Sequence, residues 1–194
     1  MTRQAITKLA AGDIIAPRTL MTMNGRQLPV PDSARLQHIQ FRRFAGCPIC
    51  NLHLRSFVTG AAAIDAAGVD EIVVFHSTKE ELLKYENDLP FAVIPDPAKE
   101  LYREFGVESA ARAIASPRVW LTIPRAMGGT IWGALRGRNP MAPHNPTGGP
   151  LGLPADFLVA PGGRIVAVHY GTHAYDQWSV DELLAHATAA LTTL

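Results

Sequence analysis

A strand-like run from Leu36 to Phe44 breaks off at Ala45-Gly46-Cys47-Pro48, and residues at helical spacing follow at once. No other feature constrains the fold as much. Cys50, Leu54, Phe57, Val58, Ala61 and Ile64 recur as one helical face. Pro48 suits the first turn of a helix, where its missing N–H costs nothing, and Gly68 is a natural stop. The spacing predicts a strand–turn–helix unit with Cys47 and Cys50 at the helix start.

The same alternation runs through the chain. Asn24-Gly25, between Leu20–Met23 and Gln27–Val30, predicts an N-terminal β-hairpin. Glu71 to His76 reads as a buried parallel strand. Ser77-Thr78-Lys79-Glu80-Glu81 offers two capping-box registers, Ser77 with Glu80 or Thr78 with Glu81, ahead of a helix to about Asn87. Phe91 to Ile94 reads as a short strand, and Asp96-Pro97 opens a helix through Leu101 and Phe105 that ends at Gly106. Residues 107–153 are irregular, and 139–154 is dense in Pro, Gly and Asn. Phe157–Ala160, the turn Pro161-Gly162-Gly163 and Arg164–His169 read as a hairpin. Ser179 to Glu182 is a capping box for a helix carrying Val180, Leu183, Leu184, Ala187 and Leu191. The order βα, βα, βα, insertion, ββα predicts an α/β layered fold with a central mixed sheet flanked by helices. Residues 1–194 read as a single domain with an insertion over about 107–153.

A formal charge of +1 supplies no basic field for nucleic acid and no acidic tail. No stretch approaches the ~20 apolar residues of a membrane span. Residues 1–12 lack the continuous apolar core of a secretory signal. The expected compartment is therefore the cytoplasm, where thiols stay reduced. The only two cysteines are three residues apart, so a catalytic, redox-sensing or metal-binding pair is expected rather than a disulfide framework. A zinc site needs a second ligand pair, and His38, His53 and His76 do not stand at ligand spacing. No metal and no cofactor are expected. Two buried structural cysteines would be inert.

A thiolate, not a thiol, is the nucleophile. Unpaired N–H groups and the positive end of the helix dipole lower the pKa of a cysteine at a helix start. Cys47 holds that place, with Arg43 near it in sequence. Cys50 lies one turn on, on the apolar stripe. Cys47 is expected to attack and Cys50 to resolve. Arg42 and Arg43 alternate along one strand, so at most one of them faces the cysteines.

Phe41-Arg42-Arg43-Phe44 leading into Cys47-Pro48-Ile49-Cys50 resembles the peroxiredoxin-like branch of the alkyl hydroperoxide reductase and thiol-specific antioxidant group, within the thioredoxin superfamily. The lead-in Gly12-Asp13 to Pro17 with Leu20 to Gly25, the run from Asp96-Pro97 to Phe105-Gly106-Val107, and Phe157 to Arg164 are similar to segments of that family in the same order. The resemblance implies a thioredoxin-like fold and a thiol-dependent oxidoreductase that reduces peroxides or disulfides through a Cys47–Cys50 disulfide. A thiol reductant such as a thioredoxin-like protein would recycle it. Peroxidatic sites of the family carry Thr or Ser three residues before the cysteine, Pro seven before, and Arg three before the aromatic of the last hairpin. Here those positions are Phe44, Gln40 and Pro154. Pro154 instead fits the thioredoxin pattern, a cis-proline that docks substrate backbone. Pro154 and Arg43 are thus the expected substrate-positioning residues. The competing expectation is a non-enzymatic redox-sensing or binding protein. It would use the 107–153 insertion, with Trp120, Met127, Trp132 and Met141, to bind a partner or build a homodimer.

Overall fold

The computed structural model of the chain describes residues 7–107, 146–149 and 151–193. Most of the expected insertion, with its Trp and Met residues, lies outside them. Among the described residues eleven elements follow in order: β1 (Arg18–Met21), β2 (Gln27–Val30), β3 (Leu36–Phe41), α1 (Pro48–Ala66), β4 (Val69–Phe75), α2 (Lys79–Tyr85), β5 (Ala92–Pro95), α3 (Glu100–Glu104), β6 (Ala155–Val159), β7 (Ile165–Tyr170) and α4 (Val180–Thr193). β1 and β2 form the expected hairpin. The other five strands form one mixed sheet in the order β5-β4-β3-β6-β7. β3, β4 and β5 run parallel, and β6 runs antiparallel to both of its neighbours, β3 and β7. This is the α/β architecture with a central mixed sheet that the element order predicts, in the thioredoxin-like arrangement that the family resemblance implies.

β3 is central, and its period-2 alternation sorts two environments. Ile39 and Phe41 face a core shared with Ile72, Val74, Phe157, Tyr102 of α3 and Phe105 just past its end. His38, Gln40 and Arg42 occupy the alternate positions, and the structure turns them under α1. Leu36, Phe57, Ile64, Leu158 and Trp178 pack there with Leu183 and Ala187 of α4. Leu54 of α1, Leu82 of α2, Phe75 and Val93 form a third cluster. Fully burying side chains such as Phe57 or Leu54 contributes roughly 1.5–3 kcal/mol each.

Local chemistry fixes the ends of the elements. β3 stops at Phe41 rather than Phe44 because its antiparallel partner begins at Ala155, opposite Phe41. Beyond that point only β4 remains to pair, and Arg42 donates its N–H to the Val74 carbonyl at 2.9 Å. Of the two capping registers at α2, Thr78 with Glu81 forms. Ser77 is engaged elsewhere, its hydroxyl accepting the Ala45 N–H at 2.9 Å. α3 starts later than the sequence suggests, at Glu100. The Asp96 carboxylate reaches over to accept the N–H groups of Glu100, Leu101 and Tyr102. On α4 the inward stripe uses Ala190, whereas Leu191 is 59% exposed.

Candidate active site

The turn between β3 and α1 is built for one purpose: it places Cys47 at the helix N-cap. Gly46 adopts φ +74°, the left-handed region that favours glycine, and brings the chain round. Cys47 then takes an extended conformation, Pro48 occupies the first helical turn, and the Cys47 sulfur accepts the Cys50 N–H at 3.4 Å. Sulfur thus fills the acceptor position that a Ser or Asp oxygen takes in ordinary caps. The two cysteines are 3.0 Å apart and both are free. An apolar collar of Phe44, Ile49 and Ala174 closes over them.

The two thiols have opposite electrostatics. Burial alone would raise the Cys47 pKa. The hydrogen bond from Cys50, the Arg43 charge and the N–H groups of Cys50 and Ile49 overcome it and bring the value down to about 6. Cys50 moves well above its ordinary value, through burial and through the adjacent Cys47 thiolate to which it donates. At neutral pH the pair is one thiolate hydrogen-bonded by one thiol.

Of the two arginines, Arg43 is the one whose charge acts on the cysteines, and its guanidinium lies 5.3 Å from the Phe44 ring centroid. Arg42 turns the other way and is fully buried. The cis geometry expected at Pro154 is not found: among the described residues the cis peptide bond is Val30–Pro31, and Leu153–Pro154 is trans. Pro154 meets the site through a loop instead. Its carbonyl accepts the Gly171 N–H at 2.9 Å, and its ring packs so tightly on Gly171 that a Cβ there would stand 2.7 Å from Pro154 Cγ. Asp176 ties the same loop together, accepting from the Thr172 N–H and hydroxyl and lying 3.0 Å from His169 Nε2. That loop carries Ala174 onto the dithiol.

Two features escape the sequence reading. The first is Glu86, just past α2, which is 3% exposed and accepts the Gly46 N–H at 2.7 Å. Burial, helped by the Cys47 thiolate and only partly opposed by the Gly46 hydrogen bond, pushes its carboxyl up to about 8. No signal in Tyr85-Glu86-Asn87-Asp88 marks it, because such a polar run reads as a solvated helix end. The second is a buried polar network under α1. Arg42 donates to Asp156 at 2.8 Å and to Gln40, and its Nη2 lies 3.4 Å from His53 Nε2. His38 bridges Glu71, at 2.9 Å, and Asp156, at 3.3 Å. Gln40 also donates to Glu71, and the Trp178 N–H donates to Asp156 at 3.2 Å. Burial opposes charge on His38, yet the two carboxylates raise it to about 9. Asp156, buried but faced by Arg42 and His38, stays well below the usual carboxylate range. Burial and the neighbouring Arg42 charge hold His53 neutral, down to about 3. The alternation His38-x-Gln40-x-Arg42 on a central strand was the available signal. The histidines considered as metal ligands thus have other tasks: His38 and His53 belong to this network, and His76 Nδ1 lies 3.2 Å from the Thr147 carbonyl oxygen.

A family model described as AhpC/TSA antioxidant enzyme matches residues 56–173, more than half of the chain, starting after Cys50. No curated protein matches the sequence. Solved structures match nearly its full length. Peroxidoxin BcpB from Mycobacterium tuberculosis superposes with a TM-score of 0.64 at 14% identity, covering 93% of this chain and 97% of that one. A cysteine-to-serine mutant of peroxiredoxin 6 of Arenicola marina gives a TM-score of 0.69 at 13% identity, over 95% of this chain and 74% of the other. A candidate thiol:disulfide interchange protein, DsbE, from Chlorobium tepidum gives 0.60 at 17% identity, over 95% and 99%. At such identities these structures share the fold alone with this protein. With the family match over residues 56–173 and the thioredoxin-like sheet around its dithiol, the chain belongs to the AhpC/TSA antioxidant-enzyme family.

Proposed function

We propose that the protein is a thiol-dependent oxidoreductase that works through a Cys47–Cys50 disulfide and reduces peroxides or disulfides. The observation that carries this reading is the Cys47 sulfur at the N-cap of α1, hydrogen-bonded by Cys50 and lowered to about 6. A thiolate so placed attacks the electrophilic sulfur of a disulfide, or the outer oxygen of a hydroperoxide to give a sulfenic acid. Cys50 then displaces the bound product, or water from the sulfenic acid, and closes the internal disulfide. A thioredoxin-like thiol reductant reopens it. Arg43 serves as the cation that favours the thiolate. Pro154 positions substrate through the 171–177 loop it braces. A reducing compartment such as the cytoplasm suits a dithiol that must be returned to its reduced form, and none of the described helices is long and apolar enough to cross a membrane.

Phe44 and Gln40 favour a two-cysteine cycle over a one-cysteine peroxide trap. Phe44 presents a ring where a hydroxyl would orient peroxide, and both ends of the Gln40 amide are committed to Arg42 and Glu71. The test is kinetic: the reduced protein is mixed with hydrogen peroxide, an organic hydroperoxide and a small disulfide. At least one is expected to react, with a rate that falls as pH drops through about 6, and Cys47→Ser abolishes it. Retained turnover in Cys47→Ser overturns the proposal. Trapping a sulfenic acid in Cys50→Ser after peroxide exposure assigns the peroxidase branch; a stable mixed disulfide assigns the exchange branch.

A further inference from the structure

Glu86 is a buried acid with no counter-charge among the described residues. Its carboxyl touches both flanks of the dithiol: Oε1 accepts the N–H of Gly46, the residue before Cys47. The side-chain amide of Asn51, the residue after Cys50, lies 3.1 and 3.2 Å from its two oxygens, in reach either to donate N–H to the carboxylate or, turned over, to accept the proton of the acid. Among the described residues no Lys, Arg or His forms an ion pair with it. The charged and titratable groups around it are few. Cys47 lies beyond Gly46, with Cys50 and Arg43 behind it. Arg55, Tyr85 and Asp88 stand around a cavity of about 390 Å³ between α1 and α2 that Glu86 also lines. Leu54, Val58 and Leu89 supply the apolar part of that cavity.

A carboxylate at this depth, beside a thiolate and without a cation, is costly. Both groups compete for the same positive end of α1. We propose that Cys47 and Glu86 hold one negative charge between them: Glu86 carries a proton while Cys47 is a thiolate and releases it when Cys47 enters a disulfide. Rise of the Glu86 carboxyl to about 8, with the Cys47 thiolate among its causes, agrees with that geometry.

Resting on the functional reading above, the assignment closes the proton count of the reaction without solvent. With a disulfide RSSR′, the Cys47 thiolate, the Cys50 thiol and the Glu86 acid become the Cys47–Cys50 disulfide, the Glu86 carboxylate, RSH and R′SH. The dithiol is oxidised, the substrate S–S bond is reduced, and the two product thiols take their protons from Cys50 and Glu86. With a hydroperoxide ROOH, the same three groups yield the disulfide, the Glu86 carboxylate, ROH and water. Total charge stays at −1 in both cases. Glu86 is a proton-holding residue for the dithiol, regaining its proton from solvent through the α1–α2 cavity when the disulfide is reduced.

Infrared difference spectra of the wild-type chain, reduced against oxidised with diamide, test this. A protonated-carboxyl C=O band is expected in the reduced form and is lost on oxidation; no such band overturns the proposal. Glu86→Gln keeps an oxygen for the Gly46 N–H and removes the proton. The ultraviolet titration of the thiolate is expected to show two steps in wild type and one in Glu86→Gln, and identical titrations overturn the proposal. Both readouts follow the dithiol rather than turnover. A chain that shows the band yet reduces no substrate sinks the functional reading alone, and one that turns over without the band sinks this one alone.

Discussion

Two clusters of ionisable groups lie under α1, one at its N-terminus and one beneath its second turn. They are about equally buried, and they differ in charge balance. In the second-turn network, Arg42 and a protonated His38 face Asp156 and Glu71, two cations against two anions, each within ion-pair or hydrogen-bond reach. Its pKa values move out of the physiological range: Asp156 below it, His53 to about 3, His38 to about 9. At the N-terminus a thiolate and a buried acid compete near one arginine, and the values fall at about 6 and about 8. Burial makes charge expensive at both places. Balance then removes proton exchange from one site, and imbalance brings it to neutral pH at the other.

The largest effect expected is from unbalancing the network. Asp156→Ala leaves Arg42 buried without its anion and should cost about 3–5 kcal/mol in a chemical denaturation experiment. Replacing both partners, Arg42→Met with Asp156→Leu, should recover most of that loss, because the desolvation of both charges disappears together. Equal losses in the single and double variants would show that the network does not act as a balanced set.

A second test sharpens the comparison by silencing the dithiol end. In Cys47→Ser/Glu86→Gln the two shifted groups of the dithiol end, Cys47 and Glu86, are gone, so their titration no longer overlies that of the network. His38 has a folded pKa raised to about 9 against an ordinary 6.5. Its contribution is fully present below 6.5 and is lost as pH rises through about 9. Stability of that variant should fall across this window, and an added His38→Gln should flatten the slope. In the unmodified chain the lowered Cys47 pKa works in the opposite direction, because its thiolate is favoured in the folded state, while the raised Glu86 pKa works with His38 up to about 8. The two dithiol-end groups therefore offset each other below about 8, and the slope should be shallower than in the variant only above it.

Much of the dithiol end was legible in the sequence, for a physical reason. A strand-like run broken by a glycine turn, a cysteine before proline and an apolar helical stripe are all local signals, and the roles expected of Cys47 and Cys50 follow from their place at one helix start. Glu86 and the network depend on contacts between residues far apart in the chain. Gly46 meets Glu86 40 positions on, and Arg42 meets Asp156 114 positions on. Alternation on β3 put Arg42 and Arg43 on opposite faces but could not say which faced the cysteines. Pro154 was placed near the site by order along the chain, yet its peptide bond and its indirect route through Gly171 are set by tertiary packing.

Arg43→Gln should have the next effect. It removes the cation that opposes the burial of Cys47, and the thiolate titration should rise by about one unit, equivalent to about 1.4 kcal/mol. Reaction at pH 6 should then slow several-fold while the reaction at high pH, where Cys47 is ionised in both proteins, changes little. An unchanged titration would mean that the helix N-terminus and the Cys50 hydrogen bond suffice without Arg43.

The smallest effect separates the two clusters dynamically. Thr78 caps α2, accepting the Glu81 N–H at 3.3 Å while Glu81 accepts the Thr78 N–H at 3.0 Å. Thr78→Ala should cost about 1 kcal/mol. α2 delivers Glu86 to the dithiol, whereas the network draws on β3, β4, β6, α1 and the Trp178 backbone. Loosening α2 should therefore speed hydrogen exchange at the Gly46 amide, which Glu86 holds, and leave the Trp178 amide, which Asp156 holds, at its original rate. Equal acceleration at both amides would mean that the two clusters open as one unit. The imbalance at the N-terminus would then be sustained by the whole α1 face rather than by α2 alone.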